Sequence, residues 1–196
     1  MGAFMVKIEK DFANLIERNG RFLRTNEDFK VLSGGQHPEY VVVGCSDSRT
    51  APTIVADSKL GDIFEIRLAG GVIDDAALAS IEYAVAHLEA KKILIMAHTK
   101  CGAVTEAQKM LAAGSAESAD EDNALGRLVR SIYDNISSNQ ENATDLTNAI
   151  LDNARAQKTA LMQSSIIKKA AEEGMVEVAI GLYDIDTGKL DILEIA

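Results

Sequence analysis

The stretch Val41-Val42-Val43-Gly44-Cys45-Ser46-Asp47-Ser48-Arg49 sets an apolar, β-branched run directly against a thiol, a carboxylate and a guanidinium. Such a run reads as a buried strand, and the reactive groups begin where it ends. Further along, Lys92-Ile93-Leu94-Ile95-Met96-Ala97 delivers His98-Thr99-Lys100-Cys101-Gly102 in the same manner. Two strands thus present Cys, His and Cys at their carboxyl ends, the edge at which open α/β sheets place their sites.

The segments around these two runs decide the fold class. Gly61-Asp62 turns the chain into a strand over Ile63 to Leu68. Asp74 to Ala90 carries apolar residues at Ala77, Leu78, Ile81, Ala84, Val85 and Leu88, one broad helical face. That β-α-β alternation predicts a parallel sheet with right-handed crossovers. Met175 to Tyr183 and Lys189 to Ile195 read as two strands joined by a hairpin turn over Asp184 to Gly188. The expected fold is α/β: a central, mostly parallel β-sheet flanked by helices, with a C-terminal strand hairpin and an N-terminal helical arm at about residues 5–32.

Between these landmarks the expectations are local. Val6 to Arg18 is an amphipathic helix that stops at Asn19-Gly20, and Thr25-Asn26-Glu27-Asp28 resembles a capping box opening a short helix through Leu32. Pro52 opens a helical turn to about Ser58, while Ala69-Gly70-Gly71 reads as a flexible loop. Ala103 to Ala113 and Leu125 to Ile136 are helices separated by a small, acidic surface loop over Gly114 to Asn123. Helical periodicity continues over one long stretch from Thr144 to Glu173.

Composition narrows the function classes. A chain of 196 residues with 47% apolar residues suits a single domain over 1–196 that buries a full core. A formal charge of −10, with no Lys/Arg stripe to overrule it, argues against nucleic acid as a partner. The first ten residues mix charge with apolar side chains and lack the pattern of a signal peptide, and no apolar run approaches a membrane span. The expectation is a soluble, cytoplasmic protein with no membrane partner.

There are only two cysteines, 45 and 101, and both fall in the reactive segments. A disulfide between them is the bland alternative, disfavoured by a reducing cytosol and by the neighbouring His98 and Asp47, which it leaves unexplained. Thiolate and imidazole favour zinc over magnesium or calcium. The spacing His98-x-x-Cys101 lets one turn supply two ligands, and the fourth position falls to water, substrate or Asp47. If Arg49 holds Asp47 in a bidentate pair, the carboxylate stays ionised, points away from the metal and accepts a hydrogen bond from bound water. If that pair breaks, Asp47 becomes an alternative fourth ligand. Otherwise Asp47-Ser48-Arg49 merely caps the next helical turn.

Cys45-Ser46-Asp47-Ser48-Arg49 followed by His98-x-x-Cys101-Gly102 resembles the paired signature of the β-class carbonic anhydrases, in their plant-like branch. Gly61-Asp62-Ile63-Phe64, Glu82-Tyr83-Ala84-Val85, Asn153 and Tyr183-Asp184-x-x-Thr187-Gly188 extend the resemblance over roughly positions 10 to 195. It implies a zinc enzyme with one Zn2+ per chain on Cys45, His98 and Cys101, and with Asp47 and Arg49 as a catalytic dyad. The implied reaction is reversible hydration of carbon dioxide to bicarbonate and a proton by a zinc-bound hydroxide. Gln36, Phe64 and Tyr83 fall where that branch lines its substrate pocket, and the apolar slot for carbon dioxide is expected near Phe64, Ala69 and Tyr83. From the residues alone, Phe64 and Tyr83 read as ordinary core.

The family also forms homodimers or larger homo-oligomers, so a second subunit is expected to complete the pocket. Relatives that hydrolyse carbonyl sulfide or carbon disulfide share the ligand set and supply an alternative activity. A non-catalytic, zinc-stabilised binding module, with Asp47 closing the metal shell, is the alternative from another class. Two positions depart from the family's usual pattern: Leu68 in place of Asn, and Ala97 in place of Gly before the metal-binding His. His37, beside Gln36, is a candidate proton shuttle, whereas His87 reads as a surface or interface residue.

Overall fold

The computed structural model describes residues 2–25, 29–114 and 122–195. The chain divides into two compact units, 1–36 and 37–196. In the first, helix α1 spans Gly2–Thr25 and a short α2 spans Phe29–Leu32. The helix therefore does not stop at Asn19-Gly20. A mid-helix glycine costs only about 1 kcal/mol, and the Glu17–Arg21 ion pair spans the gap at 2.5 Å. The apolar positions Leu15 and Ile16 also recur one heptad later as Phe22 and Leu23, all four exposed, as is Phe12. The expected capping box falls on residues 26–28, outside the described residues.

The second unit is organised on a five-stranded sheet. Strands β1 (Tyr40–Cys45), β2 (Ile63–Leu68), β3 (Lys92–His98), β4 (Glu177–Tyr183) and β5 (Leu190–Ile195) lie in the order β2-β1-β3-β4-β5. The first four are mutually parallel and β5 is antiparallel to β4, as the C-terminal hairpin predicts. β1 is buried on both faces, as a central parallel strand is: Val41, Val42 and Val43 are all buried. Gly44 lies opposite Met96, so Cys45 and His98 leave the sheet at the same carboxyl edge.

The helices α3 (Pro52–Val55), α4 (Asp75–Leu88), α5 (Gly102–Ala112), α6 (Ala124–Ile136), α7 (Leu146–Leu161) and α8 (Ser165–Glu172) complete the fold. One core cluster joins Val41, Val43, Ile93, Ile95, Val178 and Ile180 of the sheet to Ile81 of α4, Leu161 of α7 and Ile167 of α8. A second gathers Val104 and Leu111 of α5, Ile132 and Ile136 of α6 and Ile150 of α7 around Cys45 and Cys101. The reactive edge of the sheet is therefore roofed by α5, α6 and α7.

The stretch expected as one helix over 144–173 is two, because Ser164 opens α8: its Oγ accepts from the Ile167 N–H at 3.3 Å and donates to Glu82 at 2.6 Å. Ala69-Gly70-Gly71 is a 3-10 turn rather than a flexible loop, with φ of 70° at Gly70 and 66° at Gly71. Residues 115–121 of the expected acidic loop lie outside the described residues. Among the described residues no helix is long and apolar enough to cross a membrane.

Candidate metal centre

Three side chains converge where β1 and β3 end. The Cys45 Sγ, the Cys101 Sγ and a ring nitrogen of His98 all lie within 4.8 Å of one another, and all three residues are buried. Cys45 is the last residue of β1 and His98 the last of β3. Lys100, at φ 59°, turns the chain so that Cys101 sits at the N-cap of α5, where the helix N-terminus favours a thiolate. The two sulfurs stand 4.0 Å apart with both cysteines free, so they are neighbours without a disulfide.

His98 is 2% exposed, and its Nδ1–H donates to the Thr99 carbonyl at 2.9 Å. That bond fixes the tautomer and leaves Nε2 with a lone pair. Nε2 is buried without a hydrogen-bond partner, a costly state for a polar atom in a packed interior. The thiols carry the same tension. Cys101 donates to Cys45, which lowers the Cys45 pKa with help from His98 and the Gly70 N–H, against burial. The same donation, together with burial, pushes Cys101 far up. Two adjacent thiolates repel each other unless a cation lies between them. Lone pair and thiols thus fit a metal ion with nitrogen and sulfur donors.

Asp47 stands outside this donor set. Its Oδ2 accepts from Arg49 Nη2 at 2.6 Å, and its Oδ1 accepts from Arg49 Nε at 2.9 Å and from the Arg49 N–H at 3.0 Å. The guanidinium beside it holds the carboxyl well below the usual carboxylate range, outweighing partial burial. Of the two arrangements open to Asp47 in sequence, the structure adopts the one in which the carboxylate is paired and the donor set stays at three.

Supporting groups come from further away. Arg67 donates from Nε to the Cys45 carbonyl at 3.1 Å and from Nη2 to the Asp47 carbonyl at 2.6 Å, so one guanidinium fixes both ends of the Cys45–Asp47 turn. Ser46 reciprocates on β2, its Oγ donating to the Arg67 carbonyl at 2.9 Å. The signal for Arg67 was a charge that, like Glu65, alternates with apolar residues along β2, and sequence reading assigned it no role. The Gly70 N–H donates to Cys45 Sγ at 3.3 Å, and a Cβ at Gly71 would lie 3.6 Å from the Gly44 backbone, so this turn presses directly on the end of β1.

Phe64, Ala69 and Tyr83 do not gather around the donor residues within one chain. A cavity of about 20 Å³, enough for a single small molecule, is lined by all three donor residues and by Ala97, Asn153 and Gln157, but not by Phe64, Ala69 or Tyr83. Phe64 packs half-buried against the main core, and Ala69 is exposed at the start of the 3-10 turn. Tyr83 is not core either: it is 48% exposed on α4, its ring 5.2 Å from that of His87. Gln36 is exposed in the N-terminal unit. His37 lines a surface hollow with Glu39, Lys91 and Lys92 at the amino edge of the sheet. A strand's length, about 20 Å, separates that edge from the metal centre, too far for His37 to relay protons within the same chain. Of the two departures, Leu68 is half-buried against the core, while Ala97 lies in the cavity wall.

Comparison with known proteins agrees with this architecture. A family model described as carbonic anhydrase matches residues 40–190. Carbonic anhydrase 2 of Mycobacterium tuberculosis is 51% identical over 76 residues, which cover 39% of this chain and 37% of that protein. Carbonic anhydrase of Pseudomonas aeruginosa is 29% identical over 181 residues, 85% of this chain and 78% of that one. The first match thus spans well under half of its relative's length. Among solved structures, one of the two tetrameric β-carbonic anhydrases of Sordaria macrospora superimposes with a TM-score of 0.70 at 28% identity, covering 98% of each chain.

Proposed function

The chain belongs to the β-class carbonic anhydrase family, and from that premise we propose that it is a zinc enzyme interconverting carbon dioxide and bicarbonate, with one zinc per chain on Cys45, His98 and Cys101. The observation that carries this reading is the buried, unpartnered Nε2 of His98, on a ring with a nitrogen within 4.8 Å of both thiols. Two sulfurs each about 2.3 Å from a tetrahedral zinc stand about 3.8 Å apart, and the observed 4.0 Å is close to that. Zinc supplies a Lewis acid that ionises water near neutral pH.

The chain's own groups divide the remaining work. Arg49 keeps Asp47 ionised and turned from the metal, and so supports an open fourth position rather than a closed structural shell. With its pKa depressed, Asp47 is too weak a base to remove a proton at neutral pH. Its role is to accept a hydrogen bond and orient the attacking water. Two thiolates offset the metal's charge, so activity rises into alkaline pH. Substrate contacts by Phe64, Ala69 and Tyr83 belong to a pocket completed by a second copy, in keeping with the tetrameric Sordaria relatives. Both thiols are free, which suits the reducing cytoplasm.

Stopped-flow hydration of carbon dioxide across pH, beside elemental analysis, tests this reading. The expected result is close to one zinc per chain and hydration that increases with pH. Absence of zinc, or full zinc retention in Cys101→Ser, overturns the metal assignment. Zinc-loaded protein without hydration favours the non-catalytic module, and faster release of sulfide from carbonyl sulfide or carbon disulfide transfers the assignment to those substrates. Ala97, where the family usually has Gly, lies in the cavity wall, and it and Leu68 are the two departures that bear on that substrate choice.

A further inference from the structure

Asn153 is 3% exposed in the middle of α7, a position where an apolar side chain would be the cheaper occupant. Its amide is fully oriented. Oδ1 accepts from Asn135 Nδ2 at 2.9 Å and faces Gln157 Nε2 at 3.5 Å, so Nδ2 is turned the other way and donates to the Gly70 carbonyl at 2.9 Å. Gln157, 5% exposed, uses its own Oε1 to accept from the Ile73 N–H at 2.7 Å. Two buried amides from α7 therefore hold the 69–73 segment at two points.

The residue so held is the one that touches the metal centre. The Gly70 N–H donates to Cys45 Sγ at 3.3 Å from a left-handed conformation, φ 70°. A Cβ there would come within 2.6 Å of Ile132 Cδ1, so the position favours glycine, which adopts this conformation without strain but loses the most backbone freedom when fixed in it. The rigidity has to be supplied from outside, and Asn153 is the side chain bonded to it.

We propose that Asn153 is a positioning residue for the metal centre: by fixing Gly70, it keeps a backbone N–H on the Cys45 sulfur. A hydrogen bond to a thiolate withdraws electron density from it and makes it a weaker donor, leaving the metal a stronger Lewis acid. In a site with two thiolates this offsets part of the charge they donate. The inference rests on the assignment of Cys45 as a metal ligand.

The test is cobalt substitution. In Asn153→Ala and Asn153→Asp the thiolate-to-cobalt charge-transfer band of the Co(II) protein moves to longer wavelength, because the sulfur becomes more electron-rich, and hydration falls about 10-fold. Asn135→Ala removes the donor that orients Asn153 from a half-buried place and shifts the band in the same direction by less. If circular dichroism shows the Asn153 variants unfolded, this variant decides. Unmoved bands in folded, cobalt-loaded variants overturn the inference while leaving the metal site standing. A wild-type protein that takes up no cobalt overturns the metal assignment, and the inference with it.

Discussion

Arg49 grips both oxygens of Asp47, Nη2 to Oδ2 at 2.6 Å and Nε to Oδ1 at 2.9 Å, while contributing no donor atom to the cluster of Cys45, His98 and Cys101. Its effect on the metal is therefore indirect. In Arg49→Ala the carboxylate loses its fork and becomes free to occupy the open ligand position. Zinc content should stay near one per chain while hydration falls about 10- to 100-fold. Metal analysis beside stopped-flow rates checks both halves, and loss of zinc would show that Arg49 acts on the ligands themselves.

The same pair sets a pH dependence of stability. Arg49 depresses the folded-state pKa of Asp47, so the unfolded chain binds the proton more readily. The stabilisation is fully present above the unfolded value, about 3.9, and is lost as pH falls through the depressed folded one. In metal-free protein, the melting-temperature gap between wild type and Arg49→Ala should be constant from neutral pH down to about pH 4 and close below that. A gap that widens on acidification would reverse the sign and remove the pair as its cause.

Gly70 and Gly174 separate strain from collision. Both have positive φ, 70° and 68°, but a Cβ at Gly70 meets Ile132 Cδ1 at 2.6 Å, whereas at Gly174 it meets nothing within 4 Å. Gly174→Ala should cost about 1 kcal/mol of backbone strain alone. Gly70→Ala adds overpacking of about 1–3 kcal/mol and displaces the N–H from Cys45, so it should also weaken metal retention against a chelator. Denaturant unfolding of the two variants, with and without zinc, measures each part. Equal losses in both would mean that the Ile132 contact yields freely.

What sequence made legible here, and what it did not, follows from distance along the chain. β1 and β3 are continuous apolar runs with reactive residues at their ends, and the chain has no third cysteine, so the strands and the donor set stood out locally. The turn at Ala69–Gly71 did not. Its rigidity comes from Asn153, 83 residues away, and three small residues in a row carry no trace of that partner. The break before α8 was hidden likewise, since Ser164 is an ordinary residue until Glu82 from α4 accepts its hydroxyl. α1 outran its expected end because one glycine is a weak stop against a recurring apolar pattern and an ion pair. Tyr83 looked like core because aromatic residues in an amphipathic helix usually are; its exposure instead fits the contact between chains proposed above.

That relationship yields the last prediction. Tyr83 lies half-exposed beside Ala79, Glu82, Ala86, His87 and Ile166, in a hollow of about 210 Å³ that includes none of the three donor residues. For Tyr83 to contact substrate, a second copy must bring it to the centre, so the protein should run as a dimer or larger species in light scattering. Complementation distinguishes this from a structural role. Tyr83→Ala and Arg49→Ala should each be poorly active alone. Co-expressed, they form hybrids in which the centre with an intact Arg49 receives Tyr83 from its neighbour. With random pairing in a two-fold dimer, half of the dimers are hybrids with one complete centre each, so about a quarter of wild-type activity should return. A monomeric mass, or a mixture no more active than the average of the two variants, would confine each centre to a single chain.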